Sequence, residues 1–150
     1  AMPLRPPAPT IMGVLEDHAA RIRAVVPPGE RIFFFGTSPI PAHLAGARFY
    51  LQQVLHTRTF VPGGDDYVIA RSGLWGPRQV DAWLSREARY AVVEPGLLRV
   101  WRTAEPGYRP ALDRIEAALA RHFMLVSEGG DGLWTPTFHV YRRRSSAEGA

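Results

Sequence analysis

The stretch Arg31–Tyr50, RIFFFGTSPIPAHLAGARFY, decides what kind of fold the chain can adopt. Its first five residues, Arg31 to Phe35, are apolar after the arginine and show no alternation. A strand with that pattern is covered on both faces. Gly36 breaks the strand, Thr37 or Ser38 can cap a helix, and Pro39 and Pro41 suit its first turn. A short helix is therefore expected over residues 39–47. A strand that runs through a tight turn into a helix is the unit of an α/β domain, and ligands are often held at that turn.

Working outward, Thr10 can cap a helix reaching about Val26, with Ile11, Val14, Leu15, Ala19, Ile22 and Val26 at helical spacing. Pro27, Pro28 and Gly29 end it. Residues 48–60 carry both periods; a strand near 48–52 is the favoured reading, and Pro62 to Asp66 read as a loop. A helix is expected from Pro77 to Ala88 with Val80, Trp83 and Leu84 inward, then a strand over Arg89–Glu94. Arg99 and Arg102 interrupt the apolar run Leu97–Thr103, which reads as a short edge strand or a loop. Pro110 opens a helix to His122 with Leu112, Ile115 and Leu119 on one face. Strands over 123–127 and 134–142 flank EGGDG, residues 128–132, as a hairpin.

This order predicts an α/β fold: a three-layer, Rossmann-like sandwich whose mostly parallel sheet ends in an antiparallel C-terminal edge hairpin. One domain is expected over 10–143. The proline-rich residues 1–9 read as a linker, with Ala1 ahead of Met2 as an expression scar, and 144–150 as a flexible tail. The chain is then expected to be a piece of something longer.

Composition narrows the chemistry. The 150 residues carry a net charge of +4, and all 18 basic residues are arginine. Basic charge favours nucleic acid, anionic lipid or acidic ligands without choosing among them. With no cysteine, disulfides and thiolate chemistry are excluded. No stretch has the roughly 20 apolar residues of a membrane span, and the proline-rich start does not resemble a signal peptide.

At the Gly36 corner, the backbone N–H groups of Gly36, Thr37 and Ser38 could hold a phosphate or a sugar hydroxyl, with His43, Arg48 and Glu94 as further candidate ligand contacts. The simpler reading is a capped turn. The corner lacks G-x-G-x-x-G and a P-loop lysine, so no nucleotide and no cofactor is expected. Asp65 and Asp66 could share a divalent cation, but with no third ligand nearby they read as solvated turn residues. The five histidines never fall in H-x-x-H or H-E-x-x-H spacing, and no G-x-S-x-G occurs, so no metal and no catalytic residue is assigned. Arg142, Arg143 and Arg144 form the densest basic run and are candidates for a phosphate-bearing surface. The tryptophans do not interleave with arginine as a base-stacking platform, so no nucleic acid is expected.

The segment VVPPGERIFFFGTSPIPAHLAGARFY, residues 25–50, resembles the soluble C-terminal region of bacterial membrane glycosyltransferases related to the dolichyl-phosphate-mannose–protein mannosyltransferases. The shared pattern is a Pro-Pro-Gly turn at 27–29, an apolar strand ending in Gly36, a P-x-x-x-x-x-A-G segment over Pro39–Gly46, and the pair Arg48-Phe49. LSREARYAVVE at 84–94 is similar to a second landmark, and RHFMLVSE and FHVYRR resemble the closing strands. Residues 51–76 match nothing in the pattern. The resemblance implies a domain on the extracytoplasmic side of the bacterial plasma membrane. It would be tethered by its proline-rich start to a membrane body that transfers sugar from a lipid-phosphate donor. The family's catalytic acids lie in that body, so none carries over here. The implied partners are the membrane body of the same parent chain and, through Arg142–Arg144, anionic lipid head groups. The competing expectation is an independent α/β enzyme or binding protein for a phosphorylated small molecule.

Overall fold

In the computed structural model, which describes residues 10–53, 56–129 and 137–147, the first helix begins where its cap was expected. The Thr10 hydroxyl accepts the Gly13 N–H at 2.9 Å, and α1 (Ile11–Arg23) buries His18, Ala19 and Ile22. After the Pro27–Gly29 turn, β1 (Arg31–Phe35) leaves only Arg31 exposed. Ile32 and Phe34 pack with Ala19, Ile22 and Val26, while Phe33 and Phe35 enter a second, larger cluster with Phe60, Trp75 and Trp83. Helices cover both sides of this strand, which explains the unbroken apolar run. Each buried Ile or Phe of β1 contributes roughly 1.5–3 kcal/mol by leaving water.

Next come α2 (Ile40–Leu44) and the two-residue strand β2 (Arg48–Phe49). Gly29 and Gly46 both take positive φ, 83° and 81°. The Gly29 N–H donates to the Gly46 carbonyl at 2.8 Å, and a Cβ on Gly46 would lie 3.5 Å from the Pro28 Cβ. The Pro-Pro-Gly turn and the Ala-Gly end of α2 thus build one corner. Beyond β2, a side chain continues the pairing with β1. Gln53, fully buried, accepts the Phe34 N–H at 3.0 Å and donates to the Phe34 carbonyl at 2.8 Å.

The sheet has five strands in the order β2-β1-β3-β5-β4, where β3 is Tyr90–Val93, β4 is Phe123–Gly129 and β5 is Phe138–Arg143. β1 pairs in parallel with β2 and β3, whereas β5 is antiparallel to both β3 and β4. The expectation of a mostly parallel sheet is thereby corrected to a mixed one. The terminal hairpin docks through its second strand, because β5 carries Phe138 and Val140 into the core while β4 leaves Leu125 and Val126 exposed. The edge of the sheet on this side is β4. A bulge interrupts it, for Leu125 faces Tyr141 and Ser127 faces Val140, with Val126 left over.

Three further expectations change. Residues 97–103 belong to a helix, α5 (Pro95–Ala104), in which Leu97, Leu98 and Trp101 meet the core and Arg99 stays exposed. The loop at 62–66 ends in a helix cap: the Asp65 carboxylate accepts the Val68 N–H at 3.0 Å and starts α3 (Asp66–Arg71). The helix begun at Pro77 is α4 (Pro77–Ala82), followed by a π turn over Trp83–Glu87. α6 (Arg109–His122) forms as expected. The turn at 130–132 and the expected strand start at 134, like residues 1–9 and 148–150, lie outside the described residues. Just past β5, the Arg144 N–H donates to the His122 carbonyl at 2.9 Å.

Candidate functional site

The carboxyl ends of the parallel strands β1 and β3 meet where an α/β sheet commonly holds a ligand. Phe35 runs into Gly36, and Val93 into Glu94, which begins α5. Gly36 is buried, and a side chain there would stand 2.8 Å from the Phe34 ring, so close packing demands glycine. Its carbonyl accepts the Thr57 hydroxyl at 3.3 Å. Glu94, 8% exposed, turns back across the gap between the strands. Its carboxylate accepts the Thr37 N–H at 2.7 Å and the Thr37 hydroxyl at 3.2 Å.

This contact decides what the corner can do electrostatically. The N–H expected to meet a phosphate already meets a carboxylate of the same chain. An anionic ligand would have to displace Glu94 and then endure its charge at close range. Ser38 accepts the Ile40 N–H at a long 3.4 Å, and α2, of five residues, has no side-chain cap at Pro39. The expected cap is thus only partly made.

The other predicted residues do not converge here. Arg48 pairs with Arg31, at the far end of β1 from Gly36 and about 16 Å away along the strand direction. His43 is exposed on α2, its ring 4.6 Å from Phe49. Of the six candidates, Thr37 and Glu94 are in direct contact, Gly36 and Ser38 flank Thr37 in the chain, and His43 and Arg48 lie by β2.

The basic run divides as well. Arg143 is a structural peg: it donates to the carbonyls of Leu84 and Ala88 at 2.7 Å each and lies 4.7 Å over the Phe123 ring. It thereby serves the carbonyls that the π turn leaves at the end of the α4 segment. Burial lowers its pKa from the ordinary guanidinium value. Arg142 donates to the Arg143 carbonyl at 3.3 Å and has a nitrogen 3.8 Å from the Met124 sulfur. Arg143 is therefore committed inward, which leaves Arg142 and Arg144 as the candidates for a surface role.

Sequence reading missed Gln53, which bonds β1 at Phe34, and Thr57, which bonds the Gly36 carbonyl just past the strand. Their signal was faint: two polar residues in a segment with no clear period. Asp66 faces Arg78 at 3.9 Å. Among the described residues no group of three or more His, Cys, Asp or Glu is placed to hold a metal, and no helix is long and apolar enough to cross a membrane. No protein-family model, curated protein or solved structure matches the chain.

Proposed function

We propose that the chain is a non-catalytic accessory domain of a membrane glycosyltransferase that uses a lipid-phosphate sugar donor. Its role is to position the acceptor or to form a lid over an active site in the membrane body. One observation carries this reading: at the sheet's usual ligand corner, Glu94 satisfies Thr37 from within the chain. The segments bearing the family resemblance are architectural in the same sense. Pro27–Gly29, Ala45 and Gly46 build a packed corner, and Ile32–Phe35 build the core. The two apolar clusters, one on each side of β1, support reading the architecture as a three-layer, Rossmann-like sandwich with an antiparallel extension. On this reading the domain lies on the extracytoplasmic side, and Arg142 and Arg144 are the residues that meet anionic head groups.

The test is direct. The purified chain, incubated with a polyprenyl-phosphate sugar and a hydroxyl-bearing acceptor, is expected neither to transfer nor to hydrolyse the sugar. Turnover by the chain alone would refute the proposal. The gene is expected to encode several membrane spans upstream of Pro3, and a reading frame without them would refute it independently.

A further inference from the structure

Away from the corner, a cavity of about 300 Å³ opens between α5 and α6 above β5. This is the small end of the range for ligand pockets, roughly 300–1,000 Å³. His139 and Tyr141, two residues apart on β5, share one face and bring their rings within 6.3 Å. Val93, Leu98 and Leu119 supply apolar wall. Glu116 enters from α6, where the Arg102 guanidinium donates to its Oε2 at 2.8 Å.

The charge of this cavity runs against that of the chain. Among the described residues no arginine lines it. Arg102, the guanidinium beside it, is shared between Asp113 and Glu116, so two carboxylates answer one cation. Glu128 adds a third carboxylate on β4, in register with His139. Burial raises the Tyr141 pKa, and the charges of Glu116 and Glu128 raise it further, so the phenol stays neutral. A phosphate or carboxylate ligand would meet acidic groups and no lining guanidinium. An ammonium would meet the Glu116 carboxylate and the aromatic ring of Tyr141, a combination that attracts organic cations.

We infer that this cavity binds a small organic cation with an apolar body, an aryl- or alkylammonium. The ammonium lies between Glu116 and the rings of His139 and Tyr141, and the hydrocarbon lies along Val93, Leu98 and Leu119. The inference goes beyond the accessory-domain reading and stands or falls separately from it.

The experiment titrates the full 150-residue chain with benzylamine, protonated at pH 7, against benzyl alcohol and benzoate, followed by calorimetry and NMR. Benzylammonium is expected to bind saturably at one site, with shifts centred on His139 and Tyr141. Benzyl alcohol is expected to bind about tenfold more weakly, the worth of one charge-assisted contact, and benzoate not at all. Glu116→Gln keeps a partner for Arg102 and should cost about tenfold in affinity for the same reason. Ala120→Trp, at the exposed rim, should abolish binding while thermal unfolding shows the chain still folded. Equal affinity for benzylammonium and benzyl alcohol, shifts that map elsewhere, an indifferent Glu116→Gln, or no saturable binding would each overturn the inference.

Discussion

Replacing Gln53 by Glu probes the side chain that stands in for a strand. The amide gives Phe34 both a donor and an acceptor in a fully buried site. A protonated carboxyl can do the same; a carboxylate can only accept, leaving the Phe34 carbonyl facing a buried charge. Burial raises a carboxyl pKa by up to about 3–5 units from its free value near 4.3. The folded pKa of the variant then lies above the unfolded one. Its stability is fully present below about pH 4.3 and is lost as pH rises through the folded value. With a folded pKa near 7, the loss at neutral pH is about 3–4 kcal/mol, at about 1.36 kcal/mol per unit. That is a large share of the roughly 5–15 kcal/mol that holds a domain folded. Urea unfolding followed by tryptophan fluorescence, from pH 4.5 to 8, measures the difference from the native chain. Gln53→Leu is the control: it orphans both Phe34 groups, about 1–3 kcal/mol each, without pH dependence from position 53. If Gln53→Glu matches the native chain at pH 7, or differs from it equally at every pH, the reasoning fails.

Three other outcomes are expected. Gly46→Ala forces a side chain into a backbone at φ 81° beside Pro28, and should cost about 1–2 kcal/mol in denaturant unfolding. Arg143→Met removes the donor to the Leu84 and Ala88 carbonyls, a loss of about 3 kcal/mol that should lower Tm by about 6–12 °C in a domain of this size. Tyr50, Tyr108 and Tyr141 all have pKa values raised above 10.0, chiefly by burial. Because the folded values exceed the unfolded one, stability present below about pH 10 is lost as pH rises through them. Ionisation of these three phenols should therefore accompany loss of circular dichroism, and their titration at ordinary pKa without any loss of circular dichroism would contradict this.

What could be read before the structure was whatever is local. Thr10 announces α1 because a cap acts on its own first turn, and Arg31–Phe35 announces a doubly covered strand because its apolar run has no gap. The spacing of Leu112, Ile115 and Leu119 likewise marks α6. α5 was hidden because Arg99 and Arg102 break an apolar run; only the spacing of Leu98 and Trp101, three apart, pointed to a helix. Asp65 looked like a loop residue because a cap and a solvated turn use the same side chain. The insertion of β5 between β3 and β4 was illegible for another reason: partner choice depends on which strand brings Phe138 and Val140 to a core assembled elsewhere. At the corner, Gly36 and Thr37 were visible as a turn. Glu94 was named as a candidate, but its closing contact spans 57 residues and no local pattern encodes it.

The extra residue in β4 has a bearing on how the molecule behaves in a crowd. Leu125 and Val126 make that border greasy, and a straight greasy border invites a copy of itself to zip alongside. At Val126 the spacing of donors and acceptors slips by one residue, so a visitor aligned with Phe123 to Leu125 falls out of step by Ser127. The defect works against strand-by-strand growth from an oily rim that faces solvent.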